Sequence, residues 1–332
     1  MNFTYKQIWL INFPVMMSLL MEQLINLTDT IFLGHVGEVE LGASALAGMY
    51  YIAIYMLGFG FSLGLQVMIA RRNGEGNLQK TGETFWQGMF FLITLSILTF
   101  TFSKLFSPTL LRTVISSDQI YLAVIQYISW RDYSFLSVFP ILAYRAFYVG
   151  TTKTRVLTIN SILLVTTNTL LNYLLIFGVG GFPRLGMAGA AIASSVAEVV
   201  ALIYLVTYTY FKVDKKKYGW RCSFNFPLLR QMFQLSSWTM IRSFFCIAPW
   251  FLFFIAIEHL GERQLAAGNV VRSVSVILFV IVNSFATTGI SLVSNLIGAG
   301  QTESLLPVAL SILFVRASRY SRRHKFSDYS GG

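Results

Sequence analysis

The sequence predicts an all-α protein that crosses a membrane many times, and three observations predict it. Of the 332 residues, 55% are hydrophobic and only 12% are charged. The mean hydropathy is +0.64. Apolar runs of the length that spans a bilayer, about 20 residues, recur along the chain. A soluble domain carries about 25% charged residues, so this chain lacks the groups to cover a water-facing surface. A soluble enzyme and a disordered chain are excluded on that ground. A membrane β-barrel is disfavoured because its strands would alternate polar and apolar residues.

Eight spans follow in order. The first, 8–33, carries Glu22 and Asp29, and the second and third, 41–70 and 84–103, are uncharged. The fourth, 121–149, carries Arg131, Asp132 and Arg145, and the fifth, 156–183, is uncharged. The sixth, 187–211, holds Glu198, the seventh, 232–257, holds Arg242, and the eighth, 273–302, is uncharged. A ninth starts near Leu305 and stops being apolar at Arg316, too soon to span. No signal peptide is expected, because the first run is long and no small-residue cleavage site follows it.

The formal charge of +11 would suggest nucleic acid in a soluble protein, but here it sits mostly in short loops and the last 17 residues. No nucleic-acid partner is expected. The loops after the second, fourth and sixth spans hold most of the Lys and Arg, with Lys104 and Arg112 after the third as the exception. The positive-inside rule therefore places those even loops and the N-terminus in the cytoplasm, with the chain in the plasma (inner) membrane. Cys222 and Cys246 imply neither a disulfide framework nor a metal site.

The chain also repeats. Shifted by 224 residues, Lys6-Gln7 meets Arg230-Gln231, and His35, Gly37 and Glu38 meet His259, Gly261 and Glu262. Leu41, Ala43 and Phe61 meet Leu265, Ala267 and Phe285, and Gly74 and Gly76 meet Gly298 and Gly300. Transporters are commonly built from such halves. The expected organisation is a first six-helix lobe at 1–215, a basic cytoplasmic linker at 216–230 and a second lobe at 231–315. By this arithmetic the second lobe lacks three to four helices, roughly 110 residues. The basic, Ser-rich tail 316–332 is expected to be a truncation scar; the alternative is a tail that holds anionic lipid.

The first span is the most informative. Ser18, Glu22, Asn26 and Asp29 share one face. Pro14 precedes Asp29 in the same helix and removes a backbone hydrogen bond, so it is a candidate hinge. A carboxylate in hydrocarbon should face the bundle interior or a water cavity, where it can exchange a proton or hold a cation. Asn168 and Asn172 lie at i, i+4, so their amides share a face and can hold a carboxylate or a cation; packing glue between helices is the competing reading. Arg131 and Asp132 are adjacent and need not pair, and Arg145 is expected to snorkel. Glu198 and Arg272 are intramembrane charges with no partner visible in the sequence. The small-residue runs 42–48 and 186–195 permit close helix packing. No nucleophile elbow, zinc motif or phosphate loop is present, so no enzyme is expected.

These residues resemble the multidrug and toxin extrusion (MATE) family. The likeness rests on Pro14 and Asp29 within INLTDTIFLGHVGEVELGASALAG, on IARRNGEGN, on NTLLNYLLIFGVGG with LGMAGAAIASS, and on HLGERQLAAGNVVRS and SLVSNLIGAGQ. The resemblance implies two six-helix lobes around a central cavity and antiport of amphiphilic, often cationic, drugs or toxins against H⁺ or Na⁺. It implies a monomer in a lipid bilayer with no cofactor beyond the coupling ion. Asp29 would be the ion-coupling acid, with Asn168, Asn172 and Ser194 as its polar partners, and Pro14, Glu22 and Asn26 as cavity or hinge residues. Some relatives have an acid where this chain has Asn172. Sodium-type relatives carry a glutamate within the seventh span, whereas here Glu258 lies only at its end. The alternatives are a lipid-linked saccharide flippase, reading Arg131, Arg145 and Arg272 as a basic cavity, and an inactive truncated product.

Overall fold

The computed structural model describes residues 5–305 and 307–308, except for the side chains of 5, 273 and 276–279. The tail 316–332 and nearly all of the ninth run lie outside the described residues. Among the described residues nine α-helices follow one another: α1 Tyr5–Val36, α2 Glu38–Gly74, α3 Leu78–Val114, α4 Asp118–Arg131, α5 Phe135–Gly150, α6 Arg155–Phe177, α7 Gly186–Lys212, α8 Phe226–Glu258 and α9 Glu262–Gly298. Among the described residues there is no strand. Helices close all backbone hydrogen bonds within the segment, which is why apolar runs in lipid adopt them. The breaks carry ordinary stop and start chemistry. Asn77, Ser117 and Asn225 cap α3, α4 and α8 by accepting backbone N–H groups. Gly178 ends α6 in the left-handed conformation at φ +73°.

Among the described residues, seven helices are individually long and apolar enough to cross a membrane. The fourth expected span is divided between α4 and α5, which are 14 and 16 residues long. Between them Asp132–Ser134 forms one 3₁₀ turn. Arg131, Asp132, Ser134 and Phe135 keep right-handed helical angles, so the rod continues and only tightens. Its side chains diverge there. Arg131 reaches α7, while Asp132 accepts from Ser103 of α3 at 2.7 Å and lies 3.7 Å from Lys104. The two adjacent charges therefore do not pair with each other.

The 224-residue repeat is present in three dimensions. α2 and α9 are both 37 residues long and start and end at equivalent positions. Gly76 and Gly300, just beyond them, take φ +73° and +69°. The contacts repeat as well. A Cβ on Gly74 would stand 2.0 Å from the Asn295 carbonyl oxygen, and one on Gly298 2.1 Å from that of Arg71. These are one contact made twice, as a two-fold relation between α2 and α9 requires. The pairs α2–α8 and α1–α9 correspond in the same way. A Cβ on Gly64 would stand 1.9 Å from Ser236 Oγ, and at the equivalent positions Thr288 Oγ1 donates to Asn12 Oδ1 at 2.9 Å. A bare glycine facing a serine hydroxyl on one side is replaced by a side-chain hydrogen bond on the other.

The segment between α7 and α8 is basic but not merely a solvated link. Trp220 packs its ring 4.6 Å from Phe85 and 5.1 Å from Phe147. Gln87 accepts the Asn225 N–H at 3.0 Å, and Glu83 accepts from Asn225 Nδ2 at 2.8 Å. The start of α3 thereby fixes the start of α8.

Candidate functional site

α1 and α6 run parallel in constant register. Thr154 Oγ1 donates to the Ile11 carbonyl at 3.1 Å, Ser161 Oγ to Ser18 Oγ at 2.8 Å, and Asn172 Nδ2 to Asp29 Oδ1 at 2.5 Å. Each rung joins residues 143 apart in sequence. Steps of about two and three helical turns keep all three rungs on one face. This lacing brings the fifth-span amides to the first-span acid. α7 lies antiparallel to α6 and adds Ser194, whose hydroxyl accepts from Asn168 Nδ2 at 2.9 Å and donates to Asp29 Oδ2 at 3.4 Å. The small residues at the start of α7 allow that approach: a Cβ on Gly189 would stand 2.8 Å from the Leu175 carbonyl.

Asp29, Asn168, Asn172 and Ser194 thus form one cluster. Asn168, Asn172 and Ser194 are buried, while Asp29 is partly buried. Asn172 Nδ2 also donates to Asn168 Oδ1 at 3.0 Å, so both of its amide hydrogens are used. Turning the amide over would set oxygen against carboxylate oxygen, so the carboxylate fixes its orientation. Asn172 Oδ1 is then buried and accepts no hydrogen bond among the described residues. Buried acceptors are rarely left so. The Asp29 carboxylate can hold a proton, and with the Asn168 amide oxygen and the Ser194 hydroxyl it offers hard oxygen groups of the kind that hold a small cation; the Asn172 oxygen faces away from Asp29.

The other sequence candidates lie elsewhere. Glu22 accepts from Arg145 Nη1 at 2.9 Å, so Arg145 turns into the bundle instead of snorkelling. Asn26 donates to Gln23 Oε1 at 3.1 Å on its own helix and does not join the cluster. α1 runs unbroken through Pro14. Glu258 is buried at the end of α8 and accepts the backbone N–H groups of Ser116 at 3.3 Å and Ser117 at 2.9 Å, so it caps the entry to α4.

Besides the Glu22–Arg145 pair, sequence reasoning missed a second ion pair. Arg131 Nη2 donates to Glu198 Oε1 at 2.8 Å, Nη1 donates to Ser134 Oγ at 2.7 Å, and the guanidinium lies 4.2 Å from the Tyr51 ring centre. The only sequence signal is that acids and arginines occur together inside the spans, and desolvated charges must pair. Arg272 instead donates to Asn269 Oδ1 at 2.9 Å and lies over Phe254.

Residues 14–174 match the family model described as MatE. The probable multidrug resistance protein NorM of Agrobacterium fabrum is 23% identical over 312 residues, covering 93% of this chain and 67% of that protein. Over its first half the chain is thus similar to the MATE family. Its matched segment contains Pro14, Asp29, Asn168 and Asn172, and Ser194 lies beyond it. A Synechocystis NorM is 31% identical over 183 residues, covering 54% of this chain and 39% of that one. Among solved structures, an outward-facing multidrug resistance MATE family transporter of the MOP superfamily superposes with a TM-score of 0.82 at 20% identity, over 94% of this chain and 69% of that chain. This chain spans about two thirds of the length of the curated relatives it matches.

Proposed function

We propose that this chain is a member of the MATE family and a cation-coupled antiporter that exports amphiphilic, cationic compounds, with Asp29 as the coupling acid. One observation carries the reading: donors from Asn172 and Ser194 reach both oxygens of Asp29 while Asn172 Oδ1 is left without a donor. The relatives named as multidrug resistance proteins support the substrate class. The proton is the ion we favour. Protonating Asp29 needs no more than the Ser194 hydroxyl turning from donor to acceptor, whereas a sodium ion would require the Asn172 amide to turn its oxygen inward. Ion and substrate then favour opposite-facing states, and each shifts the balance only by its differential affinity. A basic cavity for a lipid-linked pyrophosphate finds less support, because Arg131 and Arg145 are already neutralised by Glu198 and Glu22.

The test is uptake of the fluorescent lipophilic cation ethidium by proteoliposomes under an imposed gradient. A pH gradient should drive accumulation, and a sodium gradient at equal pH should not. Accumulation under sodium alone would name the other ion, and accumulation under neither would overturn the antiport reading.

The loop charges support a cytoplasmic N-terminus and a cytoplasmic loop between α7 and α8. Cys222 lies exposed in that loop, and Cys246 lies within α8. A membrane-impermeant maleimide should label Cys222 in inside-out vesicles only, with a Cys246→Ser background removing any ambiguity. Labelling in right-side-out vesicles would reverse the orientation.

A further inference from the structure

We infer that Glu198 is a second proton-carrying carboxylate, placed in depth between Asp29 and Glu22, so that a proton leaving Asp29 crosses α1–α7 in short steps. The inference rests on reading Asp29 as the coupling acid. Glu198 follows Ser194 by one turn of α7 on the same face, and Ser194 already donates to Asp29. Because α7 runs antiparallel to α1, that turn carries Glu198 about 6 Å from the level of Asp29 toward Glu22. Glu22 itself lies seven residues before Asp29 in α1, about 10 Å away along the axis. The three acids therefore descend in order.

The environment suits a relay. Glu198 is 8% exposed. Its Oε1 accepts from Arg131, and its Oε2 is buried without a hydrogen bond among the described residues. A purely structural counter-ion for Arg131 accounts for the first oxygen and not for the second. The charged groups that face this space are Asp29 and Glu22 from α1, Arg131 from α4, Arg145 from α5 and Glu198 from α7; Tyr51, Tyr55 and Tyr127 complete its titratable wall. Three carboxylates and two guanidiniums leave one negative charge, which one proton neutralises. In the transfer the O–H bond of the Asp29 carboxyl breaks and one forms on Glu198 Oε2, with the Ser194 hydroxyl and water as carriers. Asp29 is left a carboxylate, and Glu198 later passes the proton to Glu22 and on to water. No electrons move.

The test uses the whole chain in proteoliposomes with ethidium, read in two ways: accumulation under a pH gradient, and exchange between equal pools without a gradient. For Glu198→Gln we expect driven accumulation to fall at least tenfold while gradient-free exchange stays within twofold. Glu198→Asp should restore part of the driven rate. Driven accumulation at the wild-type rate in Glu198→Gln overturns the relay. Equal loss of both readouts in a folded Glu198→Gln protein also overturns it, because that is the signature of a structural partner for Arg131. Should Glu198→Gln not fold, Arg131→Gln/Glu198→Gln carries the test, since it leaves no unpaired charge: lost driving supports the relay, and retained driving overturns it. The two readings fail separately. If Asp29→Asn keeps coupling, the site itself is misread; if Asp29→Asn loses coupling and Glu198→Gln keeps it, only the relay falls.

Discussion

Asp29→Asn is expected to lower gradient-driven export on the order of a hundredfold, near the upper end of what a single coupling free energy of about 3 kcal/mol carries. The substitution keeps the shape of the side chain and removes its negative charge and its ability to take up a proton. The Asn172 amide can still donate to an amide oxygen at that place, and the Ser194 hydroxyl can turn from donor to acceptor. The fold should therefore survive, and expression and the thermal unfolding midpoint should stay close to those of the parent. Loss of driven export with an unchanged midpoint separates a chemical role from a packing role. A variant that still exports at the parent rate would remove Asp29 from the mechanism.

Gly74→Val is expected to cost about 3 kcal/mol or more, the upper end of the overpacking range. The atom its Cβ would meet is a backbone carbonyl oxygen at 2.0 Å. A side chain can rotate away from an intruder, whereas a helix backbone must move as a body. The result should be a lower unfolding midpoint in detergent and a smaller fraction of monodisperse protein on size exclusion. Gly298→Val should behave alike, because its Cβ meets the equivalent carbonyl at 2.1 Å. The double variant should cost less than the sum of the two, since one separation of α2 from α9 relieves both clashes. An unchanged midpoint for either single variant would refute the close two-fold contact.

What the sequence made legible follows from what hydropathy and helical periodicity encode. Runs of apolar residues locate spans, and a constant offset reveals the repeat, because both are properties of the chain taken alone. The face shared by Asn168 and Asn172 was readable for the same reason. The rotation of one helix against another was not. Arg131 and Glu198 are 67 residues apart, and Glu22 and Arg145 are 123 apart, so no spacing rule links them. Arg145 reads as a snorkelling residue until α1 is packed beside it. The tightened turn at Asp132–Ser134 covers only three residues, fewer than a hydropathy window resolves. Trp220 was hidden in a segment whose lysines dominate its composition. The buried, unused acceptor on Asn172 exists only once Asp29 has fixed the amide.

The most direct test is to count the protons released when ethidium binds to the purified chain in weakly buffered detergent, for the parent and for Asp29→Asn. The account predicts about one proton released per ethidium bound by the parent, as expected when two ligands favour opposite states, and none by the variant. Equal release from both proteins would show that the exchanged proton resides elsewhere, and would contradict the assignment of Asp29.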